Sequence, residues 1–225
     1  MTTVRPWYSV HSVNDRENRQ DRLTLELLNA IDRNSDVSQR HLARNMGVAL
    51  GLANSYLKRC ARKGFIKISE APANRCLYYL TPKGFAEKAR LTAAYLSTSL
   101  TFYRQAAESC TRLFETCGQQ GLRRVMLCGV SDLAEIALLR ARECGMTVTG
   151  IYDPRSDRRR LFNKPIWDGL SEAEPFDVAV LTDLSAPLRR YEALVEELGK
   201  ERVWVPEVLG LGRLGAPPHA DGPGE

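Results

Sequence analysis

The sequence predicts an α/β chain of two folded modules joined by a long helix. Three observations carry that expectation. Apolar residues recur at helical spacing through residues 21–63 and then give way to two short strand-like runs. Residues 82–117 keep helical spacing with no glycine after Gly84 and no proline after Pro82. From residue 122 onward, short apolar runs alternate with amphipathic segments, the order of a parallel sheet covered by helices.

A chain of 225 residues, 44% of them hydrophobic, has material for two cores. No run approaches the roughly eighteen apolar residues of a membrane span, and "MTTVRPWYSVHSVNDRENRQD" lacks the apolar core of a secretory signal. A cytoplasmic protein without a membrane partner is expected. The six cysteines include no C-x-x-C pair, which argues against a structural zinc site or a disulfide framework. Cys110 and Cys117, seven apart, would share one helix face. The net charge of +5 divides unevenly, with +8 in residues 1–90, 0 in 91–121 and −3 in 122–225. A basic first module suits a polyanionic partner.

Within the first module, "DRLTLELLNAIDRN" places Leu23, Leu27, Leu28 and Ile31 on one helical stripe. Ser38 is positioned to cap a short helix, "QRHLARNM", which Gly47 ends. A third helix, "ALGLANSYLKRCARK", runs up to Gly64. "FIKIS" and "CLYYLT" around "EAPANR" read as a hairpin directly after it. Two helices joined at a tight turn and followed by a hairpin make a helix-turn-helix with a wing, so double-stranded DNA is the expected partner.

In the third helix, Val48, Ala53, Tyr56, Leu57 and Cys60 fall on the core side and Gly51, Asn54, Ser55, Lys58, Arg59 and Arg62 on the other. Asn54 and Ser55 suit base edges, and Lys58, Arg59 and Arg62 suit phosphates. Ser38 and Gly51 complete the candidate face, and Arg75 in the wing can reach a groove or the backbone. His41 is expected at the surface without a metal role. Tyr79 and Lys83 match Y-x-x-x-K, but Pro82 between them argues against one helix face, so the match is assigned to chance. Residues 21–90, through "QRHLARNMGV", "YLKRCARKGFI" and "YYLTPKG", resemble the winged-helix regulators of the MarR type.

The long helix places Phe85, Ala89, Tyr95, Leu96, Leu100, Tyr103, Ala107, Cys110 and Phe114 at roughly helical spacing. That much apolar surface needs a cover, either a second copy in a homodimer or the second module of the same chain.

In the second module, "RVMLCGV", "MTVTGIYD" and "FDVAVLTD" read as buried strands and "LFNKPIW" as a short edge strand. "DLAEIALLRAREC" and "APLRRYEALVEELG" read as helices, the latter begun by Ser185 and Pro187, and "RVWVPEVL" as a last strand. This order implies a doubly wound, Rossmann-like parallel sheet with ligands at the carboxyl ends of its strands. Its first turn, Gly129-Val130-Ser131-Asp132-Leu133-Ala134, stands where a dinucleotide fingerprint would. Gly129 suits the tight turn, Ser131 replaces a glycine, and Asp132 brings a negative charge where a phosphate would sit. Ser131 or Asp132 could equally cap the helix, Asp132 with Glu135 in capping-box spacing. Asp153 ends the second strand, where an acid can grip a ribose, and Arg155, Arg158, Arg159 and Arg160 follow it and suit a phosphate-rich ligand.

A winged helix followed by such a module is similar in order to the Rex family of redox-sensing repressors, which implies NADH binding and dimerisation. "CGVSDLAEIA" matches part of that family's glycine-rich loop. The second module is also similar to nucleotide- and CoA-binding Rossmann domains attached to sugar-modifying proteins. The expected ligand is therefore a small anion, NAD(H) or another nucleotide-like molecule, held near Gly129, Ser131, Asp132, Asp153, Arg155 and Arg158. The boundaries drawn are 1–84 for the winged helix-turn-helix, 85–121 for the connecting and dimerising helix, 122–212 for the ligand-sensing module and 213–225 for a disordered tail. The expected function is a dimeric transcriptional regulator, not an enzyme, because no catalytic set is present. The alternatives are a Rossmann-type enzyme with a winged-helix docking arm and a ligand-free interaction scaffold.

Overall fold

A computed structural model describes the backbone of residues 8–71 and 75–212 and the side chains of 19–70 and 76–212. The tail from residue 213 lies outside the described residues. The chain forms two compact units, residues 1–99 and 100–225. Among the described residues, no helix is long and apolar enough to cross a membrane.

The first unit contains α1 (Tyr8–Arg33), α2 (Gln39–Asn45), α3 (Leu50–Arg62), β1 (Ile66–Ala71) and β2 (Arg75–Leu80). Helix α1 begins well before the expected residue 21. Leu23, Leu27, Leu28 and Ile31 bury their stripe against Leu42, Ala43 and Met46 of the α2 segment and Ala53, Leu57 and Cys60 of α3. Ser38 caps α2, its Oγ accepting the His41 N–H at 3.2 Å. Gly47, at φ +60°, reverses the chain into α3. Strands β1 and β2 pair antiparallel from Ile66↔Leu80 to Ala71↔Arg75, and Tyr78 anchors the hairpin by donating its N–H to the Ser35 carbonyl at 2.9 Å.

The "YYLTPKG" stretch acquires a physical explanation here. Thr81 donates its Oγ1–H to the Gly64 carbonyl at 2.6 Å, and Oγ1 accepts the Gly84 N–H at 3.0 Å. Pro82 then opens α4 (Pro82–Gln119), where its missing N–H costs nothing. A Cβ on Gly84 would stand 1.9 Å from the Phe65 carbonyl oxygen, so only glycine lets the helix start this close to the hairpin. Leu91 of α4 joins the core of the first unit. Ala106, Cys110, Phe114 and Cys117 are fully buried in the core of the second. Residues 93–101 lie exposed between those two stretches.

The second unit contains β3 (Arg124–Cys128), α5 (Asp132–Glu143), β4 (Thr147–Tyr152), β5 (Arg160–Leu161), β6 (Lys164–Trp167), β7 (Val178–Leu181), α6 (Pro187–Leu198) and β8 (Val203–Trp204). They form one six-stranded sheet in the order β5-β6-β4-β3-β7-β8. All neighbours run parallel except β5, which turns back antiparallel on β6. Strand alternation sends Val125 and Leu127 into the core beneath α4 and α5, and Met126 and Cys128 into the core beneath α6. Helices therefore cover both faces of an α/β sheet.

Several expected boundaries move. The last strand is only Val203–Trp204, because Pro206 ends the ladder and Glu207–Leu209 form a 3-10 turn. Ser185 does not cap α6; Ala186 takes the cap position without a side-chain bond, and Pro187 opens the helix. Asp132 does not cap α5 either. Ser131 does, its Oγ accepting the Ala134 N–H at 3.3 Å, so the Asp132–Glu135 capping box is absent.

Candidate functional site

Gly51, Ser55, Lys58 and Arg62 are exposed on α3, and Arg59 is partly exposed. Ala53, Leu57 and Cys60 are buried beneath them, with Val48 and Tyr56 at the margin of the core. Burial pushes the Cys60 thiol up to about 11, against the pull of neighbouring Arg59 and Lys63. Ser38 is exposed, with its hydroxyl oxygen engaged as the α2 cap. Arg75 opens β2, but its side chain lies outside the described residues.

Asn54 departs from the expected solvent face. It is half-buried, and its Oδ1 is shielded from water with no hydrogen-bond partner among the described residues. It sits next to Ala53 and one turn before Leu57, at the edge of the buried stripe. An amide oxygen in that condition costs about 1–3 kcal/mol.

The charge on this face is one-sided. From Val37 to Ser69 the chain carries Arg40, Arg44, Lys58, Arg59, Arg62, Lys63 and Lys67 and no Asp or Glu. Arg40, Arg44, Lys58 and Arg62 are exposed, and none of them, nor Arg59, forms an ion pair among the described residues. Totals per module conceal this acid-free run, which a residue-by-residue reading of charge would have found.

At the carboxyl ends of the sheet, β3 lies between β4 and β7, where the strand order reverses. Gly129 follows β3 at φ +111°, and a Cβ there would stand 2.7 Å from the Asp183 backbone. The approach of the β7 end is thus enough to require this glycine. Asp153, buried, accepts the Val130 N–H at 2.9 Å through Oδ2. Its Oδ1 accepts the Arg155 N–H at 3.1 Å and an Arg190 guanidinium N–H at 3.3 Å. Arg190 also stacks on Tyr152, 4.9 Å from the ring centre.

Asp183, after β7, accepts the N–H groups of Ser185 at 2.7 Å and Ala186 at 3.2 Å through Oδ1. Its Oδ2 pairs with Arg155, whose guanidinium also reaches the Ser185 hydroxyl at 3.2 Å. Burial alone would raise the Asp183 carboxyl, but the Ser185 hydroxyl, the two backbone N–H groups and Arg155 together hold it below the usual range. Ser131 donates its hydroxyl to the Thr182 carbonyl, and Thr182 donates its own to the Gly129 carbonyl at 2.6 Å. The end is a closed network in which the protein's own carboxylates occupy the turn amides.

Residues 20–67 match a winged helix-turn-helix DNA-binding family model. The first unit is a winged helix, with α3 in the second-helix position and β1–β2 as its wing. Solved structures similar to parts of the chain include the PcaV transcriptional regulator of Streptomyces coelicolor in complex with its natural ligand, at 18% identity and TM-score 0.35, covering 45% of this chain and 83% of that one. MepR, a transcription regulator of the Staphylococcus aureus multidrug efflux pump MepA, is 14% identical at TM-score 0.34, covering 45% and 84%. PigF with SAH is 13% identical at TM-score 0.25, covering 90% of this chain and 61% of that one. Likenesses this distant establish neither family nor activity. No curated protein matches the sequence.

Gly129, Ser131, Asp153 and Arg155 all lie at these strand ends, where Asp153 and Arg155 are bonded to each other and Gly129 and Ser131 are bonded to Thr182. Asp153, expected to grip a ribose, has both oxygens taken. Asp183, Ser185 and Arg190 belong to the same network, and spacing alone gives no sign of them because they come from the distant β7–α6 segment. Asp132 is exposed at the first turn of α5. Arg158 and Arg159 line an adjoining hollow of about 270 Å³ that shares Asp153 with this network and also includes Asp157 and Asp168, and Arg160 donates to the Asn163 carbonyl at 2.7 Å. The four arginines therefore do not share one set of partners. Cys110, Cys117 and Cys128 are buried thiols that burial pushes up to about 12, and Cys76 is the exposed one.

Proposed function

We propose that this chain is a DNA-binding transcriptional regulator of the MarR type, acting as a dimer, whose Rossmann-like α/β unit senses a small anionic ligand. The observation that carries the reading is the acid-free basic face on α2 and α3 of a winged helix, without an ion pair among the described residues. Unpaired cations keep their Coulomb energy for an external polyanion. Lys58, Arg59 and Arg62 contact phosphates and fix the register, while the Ser55 hydroxyl and the Asn54 amide nitrogen, whose oxygen is the shielded atom, meet base edges. Replacing Arg59 and Arg62 by alanine weakens operator binding and flattens the log–log salt dependence by about 0.9 for each phosphate that is no longer neutralised. An unchanged slope in a fluorescence-anisotropy titration overturns the phosphate role.

Dimerisation runs through the exposed middle of α4, where Tyr95, Leu96 and Leu100 lie in water, Tyr95 at 56% exposure. Charged substitutions at Tyr95 and Leu96 leave a monomer in sedimentation equilibrium. The α/β unit is read as a sensor, not a catalyst, because the oxygens of Asp153 and Asp183 are committed to backbone N–H groups and arginines. Nucleotide-like anions reach it through Arg155, the half-exposed member of the network, and Arg158. Titration calorimetry with NADH, CoA and nucleotide sugars tests this.

A second reading is favoured by the closure of the same network. In it the α/β unit holds no ligand and docks a protein, and calorimetry then shows no heat with any of those molecules.

A further inference from the structure

The short hairpin joining β5 to β6 carries an unusual residue at its tip. Leu161 pairs with Lys164, so Phe162 and Asn163 form the whole turn. Phe162 has φ +50°, the one positive value on a non-glycine residue among those described. Bulky side chains rarely adopt that conformation, and glycine or asparagine relieves it. The residue is also 68% exposed. A strained backbone holding an aromatic ring in water contributes nothing evident to the fold, which directs attention to what the ring meets.

Beside the ring runs a groove of about 610 Å³ between α5 and the start of β4, with Leu138, Leu139, Met146 and Val148 as its apolar lining. Its charged members are Arg142 and Lys164, with no acidic residue in the lining and no ion pair for either among the described residues. The opposite face of the sheet bears a complement. On α6, Leu188 is exposed, and Glu192 and Glu196 follow it at four-residue spacing, with Glu197 alongside. None of these three carboxylates is in an ion pair among the described residues. An apolar anchor followed by an acidic ridge suits a basic groove floored with leucine and methionine.

We propose that the α/β units of separate copies associate head to tail, with the α6 ridge of a second copy seated in the α5–hairpin groove and Leu188 packed against Phe162. Groove and ridge lie on opposite faces of one sheet, so the interface is heterologous and extends to a third copy. A regulator built this way would gather in series, independently of any dimer formed through α4.

Sedimentation velocity of the full chain from about 1 to about 100 µM tests this range of affinity. The wild type shows a sedimentation coefficient that keeps rising above its smallest species. Phe162→Asn, which tolerates positive φ, flattens that rise while its Tm equals or exceeds the wild-type value. Arg142→Glu also flattens it, and adding Glu196→Arg to Arg142→Glu restores it. A wild-type coefficient that stays constant, or a charge-reversed pair that fails to restore the rise, overturns the proposal. So does cosedimentation with anionic phosphatidylserine vesicles that Phe162→Asn abolishes while self-association persists, since the ring would then serve a membrane surface.

Discussion

The α3 face and the strand-end network are both rich in arginine, yet they use their charge in opposite ways. On α3, Lys58, Arg59 and Arg62 have no acidic partner among the described residues, and nothing there competes with an incoming polyanion. At the strand ends, Arg155 and Arg190 are bound to Asp153 and Asp183, and the turn amide of Val130 is filled by a carboxylate. Basic residues beside a cleft are available to a ligand only where internal carboxylates leave them free. A paired guanidinium must first be released before it can bind anything else.

Asp183 is the residue on which the strand-end network depends most. Asp183→Ala leaves Arg155 with Asp153, at 3.6 Å, as its acidic partner and frees the amides of Ser185 and Ala186. A loss of about 3 kcal/mol is expected, less than for a fully enclosed pair because Arg155 is half exposed. Urea denaturation followed through Trp167 and Trp204 fluorescence measures it. If the network is dispensable, the midpoint stays in place.

Gly129→Ala comes next. The added methyl meets the Asp183 backbone at a distance no Cβ tolerates, and φ +111° is strained for alanine. A cost of about 2 kcal/mol is expected in the same assay. Retained stability would return the glycine to a ligand role.

The pH dependence sharpens the contrast. Asp183 is held below its ordinary range in the folded state, so its contribution is present above the unfolded pKa of about 3.9 and is lost as pH falls through the lower folded value. Acid titration of Asp183→Asn should lack that part of the wild-type loss below about pH 4, and superimposable curves would exclude Asp183. The smallest effect is at Asn54. Replacement by leucine removes an unpartnered buried oxygen, so thermal stability holds or rises by about 1 kcal/mol while operator discrimination falls. A simultaneous loss of stability would show that Asn54 is satisfied in solution.

Local spacing is the part of the fold that the sequence makes legible. The stripe Leu23, Leu27, Leu28 and Ile31, the Ser38 cap, the hairpin after α3 and the uninterrupted helix from Pro82 follow from helical and strand periods and from the chemistry of Ser, Pro and Gly. The shortness of β8 is harder to see, because "RVWVPEVL" looks continuous until Pro206 withdraws its donor from the ladder. Ser185 has the right chemistry for a cap, but the Asp183 carboxylate two residues earlier accepts the amides there instead.

By itself, then, the sequence determined the order of elements, the winged helix and the basic character of its second-helix segment, because those rest on neighbours within a few residues. Tertiary structure alone decided which charges remain available. Asp153 and Asp183 are 30 residues apart, and Arg190 lies farther on in the chain. Only the sheet, by placing the ends of β4 and β7 on either side of β3, gathers Asp153, Asp183 and Arg190 into one network, with Arg155 paired to both carboxylates.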